Sequence, residues 1–98
     1  MIEVRQTDAF ADWFDRLRDL RAKAQIIRRI ERFEAGNPGD VERVGEGVSE
    51  MRIDYGPGYR LYFTQQGLAW VLLLCGGDKK SQMRDIVRAK KMKRELDI

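Results

Sequence analysis

The side chains in this sequence that could do chemistry are few, and most are cationic. Arg52 and Arg60 flank a Gly56-Pro57-Gly58 turn, Tyr62 follows closely, and Lys79-Lys80 sit between Gly76-Gly77-Asp78 and Ser81. Guanidinium forks match phosphate oxygens, and a lysine among other cations has its pKa pushed down toward the range useful for proton transfer. A helix opening at Ser81 would add free backbone N–H groups and a positive dipole end beside the two lysines. Fixed cations of this kind suit a phosphodiester whose charge grows in a pentacoordinate transition state. An RNA 2′-hydroxyl can attack its adjacent phosphate without a metal. That chemistry fits a chain with no histidine and one cysteine, Cys75, a composition that removes the common zinc sites, the Ser-His and Cys-His pairs and any internal disulfide. No cofactor is expected, and a metal cluster of Glu50, Asp54 and Asp78 is the weakest alternative.

The charge is local. The formal net charge is +3, yet residues 1–40 sum to zero, residues 41–78 to −2 and residues 79–98 to +5. A basic end on a near-neutral body points to a polyanionic partner, nucleic acid or an acidic protein surface, although a solvated helix face is the commoner origin of such a run. Ninety-eight residues, 43% of them hydrophobic, predict one domain spanning residues 1–98. No apolar run is long enough for a membrane span and MIEVRQTDAF does not read as a signal peptide, so a cytoplasmic protein with no membrane partner is expected.

The elements that must hold these residues follow from periodicity. Residues 2–5 begin a strand, and Thr7 or Asp8 caps a helix over about 8–20, whose stripe is Phe10, Trp13, Phe14, Leu17 and Leu20. A second helix, with Ala24, Ile27, Ile30 and Phe33 inward, stops at Gly36-Asn37-Pro38-Gly39 and lies antiparallel to the first. A weak strand near Val41–Val44 precedes a half-buried strand over Val48–Tyr55, with Met51 and Ile53 on one face and Glu50 and Arg52 on the other. Tyr59, Leu61 and Phe63 then alternate with Arg60, Tyr62 and Thr64, so a hairpin presents Glu50, Arg52, Arg60 and Tyr62 on an open face. Trp70–Cys75 is a central strand ended by Gly76-Gly77-Asp78. Ser81 caps a last helix with Met83, Ile86 or Val87, and Ala89 inward, fraying at Lys90–Arg94. The order β-αα-ββββ-α gives an α+β sandwich with a mostly antiparallel sheet.

Each candidate also has a structural reading. Taken singly, Arg52 and Arg60 are cross-strand ion-pair partners for Glu50 and Asp54. Tyr55 and Tyr59 share a face with core residues, Cys75 is a buried small hydrophobe, and Trp13, Phe14 and Trp70 are core or interface anchors.

The segments FADWFDRLRD (10–19), RIERFEAGNPGD (29–40), GVSEMRIDYGPGYRLYF (47–63) and LLLCGGDKKSQMRDI (72–86) together carry a resemblance. The chain resembles the RelE/HigB-type toxins of type II toxin–antitoxin modules, in the addiction module killer protein branch, from about residue 2 to residue 92. The resemblance implies a RelE-like sandwich, with two N-terminal helices packed on the sheet and a C-terminal helix. It implies ribosome-dependent, metal-independent cleavage of mRNA, and a tightly bound cognate antitoxin, often a helix-turn-helix DNA-binding protein. Carried onto this sequence, the arginine of GPGYR is Arg60, stabilising the phosphate in the transition state, and Arg52 holds phosphate or RNA backbone. Lys79 or Lys80 is the acid, base or second phosphate clamp, with Gln82 and Arg84 as further RNA contacts. No Tyr or His follows residue 75, where well-described members place an acid or base, so proton transfer falls to Lys79 or Tyr62. The same fold also hosts ParE-like toxins that inhibit DNA gyrase by binding and not by cleavage.

Overall fold

Thr7 both ends the first strand and starts the first helix. Its hydroxyl accepts from the Phe10 N–H at 3.1 Å and donates to the Leu74 carbonyl at 2.7 Å, so one side chain caps the helix and ties its start to the sheet. In the computed structural model, which describes residues 1–98, β1 (Glu3–Gln6) leads into α1 (Asp8–Arg16) and then α2 (Leu20–Glu34). Four strands follow, β2 (Val41–Gly45), β3 (Val48–Ile53), β4 (Tyr59–Gln66) and β5 (Trp70–Asp78), and α3 (Gln82–Leu96) closes the chain. The sheet order is β1-β5-β4-β3-β2, with β1 parallel to β5 and every other pair antiparallel. This is the α+β sandwich expected. No helix is long and apolar enough to cross a membrane.

Several boundaries differ from expectation, each for a physical reason. The first helix stops at Arg16, because Leu17 and Asp19 are extended and the Asp19 carboxylate accepts from the Arg21 and Ala22 N–H groups to start α2. Tyr55 packs against the edge of the core and reaches the same carboxylate, its hydroxyl 3.0 Å from Oδ2. These bonds hold Asp19 below the usual carboxylate range, the Ala22 N–H contributing most. On α2 the buried stripe is Ala22, Ile26, Ile30 and Phe33. Ala24 and Ile27 face solvent, Ile27 being 47% exposed, because at about 100° per residue they lie away from that stripe.

Both faces of the sheet are covered. Against α1 and α2 lies the larger core, where Phe10, Ile26 and Phe33 meet Met51, Ile53, Tyr59, Leu61, Phe63, Val71 and Leu73. Against α3 lies a smaller one of Val48, Tyr62, Leu74, Cys75 and Ala89, so the hairpin face expected to be open is covered over Val48, Glu50 and Tyr62 and stays accessible only at its Arg52–Arg60 end. The Cys75 thiol is a buried hydrophobe as expected, and burial pushes its pKa up to about 11.

Strand β5 does not stop at Cys75. It continues through Gly76, Gly77 and Asp78 after a bulge, since Tyr62 pairs with Cys75 but Phe63 pairs with Leu73, leaving Leu74 extra. The bulge puts Leu74 and Cys75 together on the α3 face. Beyond it Gly76 meets α1 and Gly77 meets α3. A Cβ on Gly76 would lie 2.3 Å from the Trp13 ring, and one on Gly77 1.9 Å from Asp85 Oδ2, so both helices close onto bare backbone here.

In the last helix Ile86 and Ala89 pack inward as expected, but Met83 does not, and the helix is longer than expected. Asp85 and Ala89 are buried while Met83 and Val87 are exposed, because α3 approaches the sheet through Asp85 over Gly77 and through the small Ala89. It runs on to Leu96 and does not fray at Lys90–Arg94. Glu46, at the tip of the β2–β3 turn, holds Arg94 Nη1 at 2.8 Å and Lys90 Nζ at 3.9 Å.

Candidate functional site

Arg52 and Arg60 are direct register partners on β3 and β4. Two cations facing each other across a strand pair repel, and the fold answers with Glu50, which is only 1% exposed. Three groups converge on its Oε1: Gln82 Nε2 donates at 2.8 Å, the Tyr62 hydroxyl donates at 3.3 Å, and Arg60 Nε stands 3.1 Å away. Arg52 Nε is 4.0 Å from Oε2. A buried carboxylate is costly unless paired and hydrogen-bonded, and Glu50 is both.

This network decides what the arginines can do. The Arg60 side chain is 12% exposed and its Nη1 also donates to the Gly58 carbonyl at 3.4 Å, so its position is fixed from both ends. Arg52 is more open and shared among acids, bonding Glu42 through Nη2 with Asp40 Oδ1 4.0 Å from its Nε. The ion-pair reading of both arginines therefore holds, with Glu50 as the common partner and Asp54 not among them.

Arg52, Arg60 and Lys79 line one polar hollow of about 380 Å³, together with the Gly56-Pro57-Gly58 turn, Asp40 and Asp54. Lys79 is exposed and placed by its own backbone, whose N–H donates to the Pro57 carbonyl at 3.4 Å. The other expected site residues lie elsewhere. Tyr62 does not stand on an open face: it is fully buried beneath α3, and burial, followed by the charge of Glu50, raises its pKa well above the ordinary tyrosine value. Gln82 is turned onto Glu50. Lys80 and Arg84 line a separate cleft of about 850 Å³ between α1 and α3.

At the start of α3, where the sequence predicts an anion site, side chains bond the turn before the helix. Asp78 Oδ1 accepts from the Lys80 and Ser81 N–H groups at 2.9 and 3.1 Å, and the Ser81 hydroxyl donates to the buried Asp85 carboxylate instead of capping the helix. These bonds tie the turn ahead of α3, and its first helical N–H groups carry no side-chain cap.

Residues 12–97 match the family described as Phage derived protein Gp49-like (DUF891). The chain belongs to this Gp49-like family. It is a family of toxin–antitoxin toxins within the RelE/HigB-like superfamily, so an antitoxin partner is implied. The chain is also 46% identical over 97 residues to an uncharacterized protein of Haemophilus influenzae, across 99% of this chain and 98% of that one. In this Gp49-like chain the features missed by sequence reasoning are the central place of Glu50 and the inward turn of Asp85. Both are acids at positions that an amphipathic reading assigns to solvent. The one signal available was that Glu50 alternates with Val48 on the face that α3 needs to cover.

Proposed function

We propose that this toxin is a ribosome-dependent, metal-independent mRNA endoribonuclease acting through the hollow of Arg52, Arg60 and Lys79. The observation that carries the reading is the convergence of those three cations on one hollow in a chain of a toxin family. Arg60, held by Glu50 and the Gly58 carbonyl, stabilises the phosphorane without reorganising when charge develops. Arg52 binds the phosphate by exchanging its carboxylate partners for phosphate oxygens. The RNA 2′-oxygen attacks phosphorus and its proton passes to Asp40 or Asp54. The P–O5′ bond breaks, and Lys79 donates a proton to the departing 5′-oxygen, leaving a 2′,3′-cyclic phosphate.

Lys80 and Arg84 extend the RNA surface in this reading. Tyr62 takes no part, since it has no path to substrate. The ribosome supplies the remaining binding surface, because few phosphate contacts give weak, salt-sensitive affinity for free RNA. Cleavage is expected on translated messages and hardly at all on purified RNA at physiological salt. Mapping RNA ends after induction tests this: efficient cleavage of naked RNA contradicts ribosome dependence.

A second reading is a ParE-like inhibitor that binds DNA gyrase or another protein target. It is favoured by the burial of Tyr62 and by the pairing of both arginines with Glu50, which leave no aromatic or histidine acid–base group at the hollow. Loss of gyrase supercoiling on adding the protein, without RNA cleavage, would select it. In either case the antitoxin is expected to be a small helix-turn-helix DNA-binding protein.

A further inference from the structure

Lys79 is the cation of the hollow that no carboxylate holds. Arg52 and Arg60 share ion pairs with Asp40, Glu42 and Glu50, and Lys79 has none. Its long side chain starts from an exposed turn, so the direction in which the ammonium leaves the backbone is set by the turn itself. A reacting group misplaced by about 1 Å can cost on the order of 10²-fold in rate, so whatever fixes this turn bears on the chemistry.

Asp78 fixes it. As the last residue of β5 it is held in register opposite Tyr59. Its Oδ1 accepts from the N–H groups of Lys80 and Ser81 at 2.9 and 3.1 Å, an Asx turn that encloses Lys79. The Asp78 N–H donates to the Ser81 hydroxyl oxygen at 3.2 Å, and that hydroxyl donates to the carboxylate of Asp85, which is buried against the bare backbone of Gly77. The turn is thereby anchored to β5 on one side and to α3 on the other. Toward the hollow, the Lys79 N–H donates to the Pro57 carbonyl, while the neighbouring Gly58 carbonyl accepts from Arg60 Nη1, so one short turn supports both cations. Lys79 is sent into the hollow and Lys80 into the α1–α3 cleft. The two N–H groups that Asp78 takes belong to residues ahead of Gln82, where α3 begins, so the carboxylate sets the course of the turn and does not cap the helix.

We propose that Asp78 is a positioning residue for Lys79, aiming its ammonium so that it delivers a proton to the departing 5′-oxygen. This rests on the reading of the hollow as a nuclease site with Lys79 as the acid. Asp78 acts here as a hydrogen-bond acceptor and not through its charge. Asparagine, whose side-chain carbonyl forms the same turn, can replace it, whereas glutamate, with its carboxylate one methylene further from the backbone, cannot.

The test compares ribosomes programmed with an ordinary message and with one whose scissile 5′-oxygen is replaced by sulfur, each rate taken per folded molecule of the intact chain. On the sulfur-linked message the 2′-oxygen bonds to phosphorus, the P–S bond breaks and the sulfur leaves as thiolate, needing no proton because a thiol has a pKa of about 8.5. On the ordinary message Lys79→Ala is expected to lose about 10²–10⁴ in rate, the usual contribution of a positioned acid, and Asp78→Ala and Asp78→Glu about 10². Asp78→Asn is expected to recover most of the Asp78→Ala loss. Asp78→Ala is expected to cost nothing further in a Lys79→Ala background. On the sulfur-linked message Lys79→Ala, Asp78→Ala and Asp78→Glu are all expected to cleave near the wild-type rate. Wild-type cleavage of the ordinary message by Asp78→Ala overturns the assignment, as does an Asp78→Ala loss that sulfur leaves in place while it relieves Lys79→Ala. So does Asp78→Asn as impaired as Asp78→Ala. Full activity of Lys79→Ala on the ordinary message removes the acid through which Asp78 acts and overturns both. No cleavage of either message by the wild type overturns the nuclease reading and the positioning role with it.

Discussion

The two faces of the sheet are built on opposite principles. Under α1 and α2 the contacts are nearly all apolar, with Phe10, Ile26, Phe33, Leu61 and Phe63 packed together and Phe33 and Phe63 edge to face at 5.1 Å. Under α3 the core is small, and Glu50, Tyr62, Asp85 and Cys75 are buried beside it. The first face stabilises without aiming any side chain at a ligand. The second spends apolar area on a polar network whose product is one immobilised guanidinium, Arg60, at the rim of a hollow.

The largest effect is expected from removing the centre of the polar face. Glu50→Ala leaves Arg52 and Arg60 opposed with no carboxylate between them, and breaking a buried pair in this way costs on the order of 3–5 kcal/mol. Chemical denaturation should show that loss, and any folded fraction should have reduced toxicity per molecule. Leu61→Ala, on the apolar face, is expected to cost about 2–5 kcal/mol. Its toxicity per folded molecule should match wild type at a permissive temperature. If Leu61→Ala lowers specific toxicity as much as Glu50→Ala, the division between the faces fails.

A smaller effect separates structure from catalysis within the network. Tyr62→Phe removes one hydrogen bond to Glu50, for a stability loss of roughly 0.5–1.5 kcal/mol, and should leave cleavage nearly intact. A large loss of cleavage in this variant would return Tyr62 to the chemistry.

The polar face should also fail first in alkali. The folded Cys75 thiol keeps its proton up to about 11 against an ordinary value of 9.0, and Tyr62 is likewise raised. A raised folded pKa stabilises fully below the unfolded value, and that contribution is lost as pH climbs through the folded one. Melting temperature should therefore fall from about pH 9 upward, with a shallower fall in Cys75→Ala. An equal slope in both proteins would contradict the burial of the thiol. The smallest change is expected from Arg94→Ala, whose exposed pair with Glu46 should contribute at most about 1 kcal/mol.

The contrast between the faces also explains what could be read from sequence. The Thr7 cap, the Gly36 helix stop and the alternation of Tyr59, Leu61 and Phe63 are local signals, and the elements they mark formed where expected. Helix α2 offered two apolar stripes, and only the sheet beneath it selects Ala22 and Ile26 over Ala24 and Ile27. The bulge at Leu74 carries no residue signature, yet it aims Gly76 and Gly77 at different helices and lets β5 outrun its apolar stretch. At the candidate site, Arg52, Arg60 and Lys79 lie around one hollow because turn and strand pattern bring them together. Lys80 and Arg84 fell in the neighbouring cleft because the turn tied by Asp78 separates successive side chains.

The central claim is that Arg60, fixed by Glu50, acts on the scissile phosphate. Arg60→Ala should be compared with wild type at matched soluble expression and matched melting temperature, with cleavage read from RNA ends in translating cells. The account predicts a rate lower by about 10²–10³, roughly 3–4 kcal/mol, with growth inhibition falling accordingly. A folded Arg60→Ala protein that cleaves and inhibits growth as wild type does would contradict it.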